Sequence, residues 1–397
     1  MAKTIRSNCP SCGKNTMSIF YEVRGVPVNS VLLLPTRTEA LGFPKGDIVL
    51  GFCGECGFIS NLAFDPTEQE YSARYEATQG YSPTFTAFHK GLAQRLIDKY
   101  QLRNKTLIEI GCDKGDFLTM LCELGNNTGI GFDPAYVPDR IPSPARDRMT
   151  FIADFYGEKY SRYSADFVCC KMTLEHISTV AEFMKTVRRS IGNRAYTIVF
   201  FQIPEVRRVL REVAFWDVYY EHCSYFSKGS LARLFRRAGF DVIGLETEYD
   251  DQYLMIEARP GTGSGPLPLP EEDDLDALRE DVAYFASTLD TTLARWQRRM
   301  KDITSAGRRA VIWGGGSKGV AFLTKLDITN EIQYAVDINP LKTGTFMAGT
   351  GQEIVGPEFL RSYRPDLIIV MNPIYIPEIS AELTRLGVSA EILPITA

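Results

Sequence analysis

A chain of 397 residues is too long for one ordinary domain, so two or three are expected. Its 45% hydrophobic and 23% charged residues are those of a globular protein, and a net charge of -5 offers no broad basic field for nucleic acid or an anionic membrane. No apolar run reaches the roughly 18 residues of a membrane span and MAKTIRSNCPSC lacks an apolar signal core, so the expected location is cytoplasmic, with neither nucleic-acid nor membrane partners.

In chain order, residues 1–72 carry short β-type runs and turns around Cys9, Cys12, Cys53 and Cys56. Two CxxC knuckles, each followed by a glycine (Gly13, Gly57) that lets the backbone turn, are what a tetrahedral zinc site requires. With all four positions filled by thiolates no coordination site stays open, so the expected zinc is structural. Residues 73–260 form a second unit. Phe85, Phe88, Leu92 and Leu96 have helical spacing, and from TLIEIG onward strands alternate with helices: DFLTMLCELG, TGIGFD, MTFIADF, ADFVCCKM, STVAEFMKTVRRSI, AYTIVFFQI. Such alternation predicts a mostly parallel, doubly wound sheet. The third unit, 261–397, opens on the linker-like GTGSGPLPLP. A long helix over 271–303 follows, with acidic EEDD at its positive end and Gly307 as its stop. A second α/β alternation completes the chain, through RAVIWG, GVAFLTKL, IQYAVD, DLIIVM, PEISAELTRL and AEILPI.

The first glycine turn is LIEIGCDKGDFL. A strand ending in an acid, Glu109, followed by Gly111, Gly115 and a helix, suits S-adenosylmethionine, because the glycines admit the methionine moiety close to the backbone. A dinucleotide fingerprint would need glycine where Asp113 and Asp116 stand. About 22 residues after Gly111, GIGFDPA places Asp133 and Pro134 at a strand end where a ribose diol would be held. FIADF offers Asp154 and Phe155 to the adenine, and ADFVCCKM brings Lys171 beside the same pocket. Each Asp, taken singly, would equally cap a helix or a turn. Cys112, Cys122, Cys169, Cys170 and Cys223 read as buried apolar residues, His89 as structural, and His176 as orienting a loop.

AFWDVYYEHCSYFS, 214–227, packs aromatics around Glu221 and His222 in a chain with only 3 histidines. An aromatic cluster with His222 as a satisfied core group would account for it; so would a base beside a substrate. Last, VIWGGGSKGVAFL sets Gly314, Gly316 and Gly319 after a strand, with Asp337 ending the next, as an NAD fingerprint asks.

Together, FWDVYYEHCSYFSKGSLARLFRRAGF, the CxxC pairs ahead of the IEIG loop and WGGGSKG, VDINP and GT behind it resemble the sugar C-methyltransferases, along essentially the whole chain. Those enzymes act on nucleotide-linked 4-keto deoxysugars. The resemblance implies a class I methyltransferase α/β sheet of Rossmann type, flanked by the zinc module and by a Rossmann-like α/β domain that helps bind the nucleotide-sugar. It implies that Glu221 and His222 lie by the sugar with His222 as base; the chemistry of carbon methylation adds that Glu221 would orient or charge-stabilise His222 and that Tyr219 or Tyr225 would donate to the enolate oxygen. It also implies that Gly314, Gly316, Ser317 and Lys318 approach the pyrophosphate, while Asn372 and Tyr375 of NPIYIPEI line the cleft. Tyr81, Asp337 and Asn339 join them as substrate-side candidates. The small-molecule substrate would be the partner, and the enzyme a monomer or small homo-oligomer. Methylation of O or N on another small molecule, and an NAD-dependent or nucleotide-binding role for the second glycine loop, are the alternatives. The first loop departs from the family, which has a small residue and Asn-Asp-Gly where this chain has Cys112, Asp113, Lys114 and Gly115.

Overall fold

The computed structural model describes residues 8–261 and 266–396. The middle of the expected linker, 262–265, lies outside them, as do residues 1–7 at the head of the cysteine module and Ala397.

The central sheet has seven strands in the order Phe240–Glu248, Tyr253–Pro260, Ile198–Pro204, Phe167–Lys171, Thr106–Ile110, Thr128–Phe132, Met149–Ile152. All pairings are parallel except those of Tyr253–Pro260, which runs antiparallel to both neighbours. The parallel strands read as near-continuous apolar runs because helices cover both faces. One face packs Leu107, Phe167, Cys169 and Phe200 against Leu92, Leu96, Leu118 and Leu121 of helices Pro83–Tyr100 and Asp116–Gly125. The other packs Ile108, Val168 and Val199 against Met184, Val187, Leu231 and Phe235 of Val180–Ile191 and Lys228–Arg237.

A second, wholly parallel sheet orders Glu353–Val355, Ile332–Val336, Ala310–Trp313, Leu367–Val370 and Glu391–Pro394. In both sheets chain order reverses at the first strand, and ligands of open α/β sheets bind at the carboxyl ends of strands where the order reverses. Here the two reversal points face one another. Gly111 and Met172, just past the first sheet's central strands, line the same cleft as Gly314 and Met371 of the second.

The N-terminal sheet is antiparallel, and its fourth strand comes from far along the chain: Met17–Pro27, Lys45–Cys53, Ile59–Asn61, then Ser224–Tyr225. The strand pairing therefore ties the cysteine module to the aromatic stretch. The expected long helix is present as Leu275–Ser305, with Gly307 in left-handed conformation beyond it (φ 65°). Its stripe Leu278, Val282, Phe285, Trp296, Met300 and Ile303 is packing surface, shared with Tyr21 and Ile48 of the N-terminal sheet and Ile312 and Phe322 of the last unit. Among the described residues, no helix is long and apolar enough to cross a membrane.

Candidate active site and metal centre

The four N-terminal cysteines come together as the knuckle spacing requires, their sulfurs all within 4.8 Å of one another. The pairs Cys9–Cys56 and Cys12–Cys53 are each 3.7 Å apart, against about 3.8 Å for the edge of a tetrahedron with Zn–S bonds of about 2.3 Å. Both knuckles make the same turn, Gly13 N–H donating to Cys9 O (2.8 Å) and Gly57 N–H to Cys53 O (2.9 Å), each glycine left-handed. The donor set and its spacing fit zinc.

The cleft between the two sheets encloses about 840 Å³. At its floor Gly111 has φ 70°, and a Cβ there would meet the Thr173 hydroxyl at 1.9 Å, so this backbone must stay bare. Gly115 lies behind the loop, where a Cβ would strike Phe151 at 2.6 Å. Glu109 is buried beneath the turn, and its carboxylate accepts from Leu118 N–H (3.0 Å), pinning the helix start to the strand. Asp133 clamps the loop, accepting from Asp113 N–H (2.8 Å) and Ala135 N–H (2.7 Å). Lys114 turns away from the cleft and donates to Ala135 O (2.6 Å). Pro134, Asp154, Phe155 and Lys171 line the cleft as well. Asp154 is engaged by Lys159 and by the Tyr160 hydroxyl (2.5 Å), leaving the exposed ring of Phe155 as the apolar surface at that end. The bare loop and the acid at the second strand end fit an adenosyl donor.

The aromatic stretch supplies the middle of the cleft. His222 is 5% exposed, with the Tyr219 ring at 4.2 Å and the His176 ring perpendicular at 4.8 Å between centroids. Burial and the neighbouring His176 hold its pKa well below the usual histidine value, so the imidazole is neutral. Glu221, expected to orient His222, does not: its carboxylate accepts from Ser30 N–H (2.9 Å) and the Ser30 hydroxyl, which also reaches Ser317 Oγ (2.7 Å). The reason is local. His222 N–H closes a turn onto Tyr219 O (3.2 Å), and the two consecutive side chains leave that turn toward different partners. Tyr225 stands behind His222 on strand Ser224–Tyr225, its buried hydroxyl unpartnered among the described residues.

Four residues that the sequence reading did not put at the centre sit there: His176, Glu175, Tyr71 and Ser30. His176, read as a loop-orienting residue, bonds Tyr71 OH through Nδ1 (3.0 Å). Glu175 is 1% exposed with both carboxylate oxygens unpartnered among the described residues, and burial pushes its carboxyl up to about 8. The signal was available: Glu-His occurs twice, at 175–176 and 221–222, and all 3 histidines line this one cleft. Tyr71 and Ser30 carried no such mark.

The last unit closes the other side with Gly314, Gly316, Ser317, Lys318, Asp337, Asn339, Asn372 and Tyr375, and Tyr81 lies at the rim. Lys318 pairs with buried Asp217 (2.8 Å), which Arg208 also binds (2.6 Å), so two cations share one carboxylate. Asp337 accepts from Gly315 N–H (3.1 Å) and pairs with Lys342 (3.1 Å). Asn339 Nδ2 donates to Glu76 (2.8 Å), itself gripped by Arg140 (2.8 Å). Tyr375 OH reaches Gln79 (2.7 Å), and Asn372 exchanges both amide bonds with Gln252.

Two family models match: a methyltransferase domain over residues 85–245 and a C-methyltransferase C-terminal domain over 270–390. The C-methyltransferase NovU of Streptomyces niveus is 24% identical over 289 residues, 69% of this chain and 67% of that one. Among solved structures, magnesium protoporphyrin IX methyltransferase of Synechocystis with bound SAH is 11% identical over 45% of this chain and 84% of its own, at a TM-score of 0.35. The riboflavin-derivative dimethyltransferase RosA of Streptomyces davawensis is 18% identical over 45% and 56%, also at 0.35. Strand order and the first family model make the central unit a class I SAM-dependent methyltransferase fold.

Proposed function

We propose, from the premise that the chain belongs to the C-methyltransferase family, that it methylates a carbon next to a ketone in a nucleotide-linked 4-keto deoxysugar, with His222 as base. The observation that carries this reading is the meeting, in one cleft, of the bare Gly111 loop, a neutral buried histidine and a second glycine loop flanked by lysines.

Bound S-adenosylmethionine supplies an electrophilic methyl group. The chain's own part is to make a carbon nucleophilic. A C–H beside a ketone is acidic enough for a positioned base, and the neutral imidazole of His222 takes the proton in a site from which the surrounding rings exclude water. Tyr219, against the His222 ring, is the nearest phenol for the enolate oxygen. His176, held by Tyr71, keeps the His222 face in place.

The second glycine loop favours a phosphorylated substrate over NAD. Asp337 carries its own cation, Lys342, which leaves a poor acceptor for a ribose diol, while Lys318 shares its carboxylate, Asp217, with Arg208, which also pairs with Glu212. Zinc held by Cys9, Cys12, Cys53 and Cys56 would be structural, stiffening the sheet that ends in Ser224–Tyr225.

Incubation with SAM and a panel of nucleotide 4-keto sugars, read by mass, is expected to add one methyl on carbon. With SAH in place of SAM, the hydrogen beside the ketone should exchange with solvent deuterium, and His222→Asn should abolish that exchange while SAH still binds. Exchange that persists in the variant, or a methyl found on O or N, would remove His222 from the role of carbon base.

A further inference from the structure

The turn Leu174–His176, just past the central strand Phe167–Lys171, is tied to the aromatic stretch by two bonds. Ser224 Oγ donates to Ile177 O (2.7 Å) and Cys223 Sγ to Glu175 O (3.6 Å), which fixes where Glu175 stands relative to His222. A carboxylate oxygen of Glu175, a ring nitrogen of His176 and a ring nitrogen of His222 lie within 4.8 Å of one another. Glu175 is 1% exposed and lines the cleft, yet both its oxygens are unpartnered among the described residues, so neither imidazole bonds it directly. A gap of up to 4.8 Å takes one bridging oxygen at about 2.8 Å from each side. Glu221 makes no such approach, being turned onto Ser30.

A dry cleft sets a difficulty for a carbon base. The imidazole that takes the proton becomes a buried cation, and it stays beside the enolate, ready to return the proton before the methyl moves. A neighbour of higher proton affinity removes both obstacles. We propose that Glu175 accepts from His222, directly or through one water, the proton that His222 takes from the substrate carbon. This step rests on His222 as the carbon base and extends that role by one transfer. The C–H bond breaks as an N–H bond forms on His222, and the electron pair stays on the substrate as its enolate. That N–H bond then breaks as an O–H bond forms on Glu175, the imidazole is neutral again, and the proton passes to solvent when the product leaves. The direction of transfer follows from burial, which lowers the proton affinity of His222 and raises that of Glu175. The titratable groups facing Glu175 are Tyr71, Cys170, His176, Tyr219, His222 and Cys223, none of them cationic near neutral pH. His222 also faces Asp217 and Lys318, which pair with each other.

The probe is thymidine diphosphate 4-keto-6-deoxyglucose, incubated in deuterated water with SAH and the full-length zinc-loaded chain. Exchange beside the ketone, followed by NMR from about pH 6 to about pH 9, should rise with pH and level off above about 8, as Glu175 gives up its own proton. Glu175→Gln should slow exchange at least tenfold at the plateau and flatten its dependence on pH, with the KM for the sugar unchanged. Glu175→Asp, which keeps an acid, should recover part of the rate together with its rise with pH. Exchange in Glu175→Gln at the wild-type rate, or slowed with the wild-type pH dependence, would overturn the relay, as would a Glu175→Asp protein no faster than Glu175→Gln. Exchange that survives in His222→Asn, or none in the wild type, would instead remove the carbon-base reading, and this one with it.

Discussion

Glu175 and Glu221 precede His176 and His222 in the chain, and their titration follows from burial. Desolvation pushes Glu175 up to about 8 and Glu221 to about 7, from an ordinary value of 4.5. A carboxyl whose pKa rises on folding holds a proton that the unfolded chain has lost, so its contribution to stability is complete below pH 4.5 and fades as pH climbs through the native value. The histidines act oppositely. His176, held down to about 4 by burial, contributes above pH 6.5 and loses that contribution as pH falls. Above pH 6.5 the carboxyls are therefore unopposed by the histidines. Glu175→Gln should lose less stability than the wild type between pH 6.5 and 8, by about 2 kcal/mol, in thermal melts of the ligand-free protein. Equal slopes in the two proteins would mean that Glu175 ionises normally. At this scale the sequence marked the chemistry by residue type alone: His222 and Glu221 stood out, yet which of the two touches which partner depends on a turn closed by His222 N–H on Tyr219 O.

Turns decide the element scale as well. The strand, glycine turn and helix over 106–125 were legible because apolar runs, a left-handed glycine and a polar helix start occupy consecutive positions. Gly111 is where that turn is least tolerant. Alanine there would hold a left-handed φ of 70° and set its Cβ 1.9 Å from Thr173 Oγ1. Gly111→Ala is expected to cost about 1–3 kcal/mol of stability and to weaken SAH binding at least tenfold, about 1.4 kcal/mol, as the loop backs away from Thr173. Calorimetry reads both; an unchanged affinity would mean that the donor does not rest on this backbone. Where the loop departs from the family, Asp113 lends its backbone N–H to Asp133 and Lys114 its ammonium to Ala135 O, while the Asp113 carboxyl lines the cleft.

Across the whole molecule, the cysteine cluster reaches the cleft through one strand pairing. Ile59 pairs with Tyr225, Phe58 packs on Phe226 with ring centroids 5.0 Å apart, and Cys56 O accepts from Arg233 Nε (3.0 Å). Metal loss should therefore be felt at His222. Cys53→Ser, or prolonged chelation, is expected to lower zinc content from one ion per chain, lower the melting temperature and slow deuterium exchange beside the ketone, with the central sheet intact by circular dichroism. A variant that keeps full zinc and full exchange would break that linkage. The last unit is bound as closely, since Glu76 joins Arg140 of the central unit to Asn339, and Ser30 joins Glu221 to Ser317.

By itself the sequence determined the two α/β patterns, the four zinc-type cysteines, both glycine loops and the long helix, because each is a matter of periodicity or spacing within a short stretch. Only the tertiary structure decided that the two sheets present their strand ends to one cleft, that Ser224–Tyr225 completes the N-terminal sheet, and that His89, His176 and His222 share a site. Those are long-range contacts between residues far apart in the chain, set by packing of apolar faces that many sequences would satisfy. No local pattern records which polar side chains such packing brings within reach of each other.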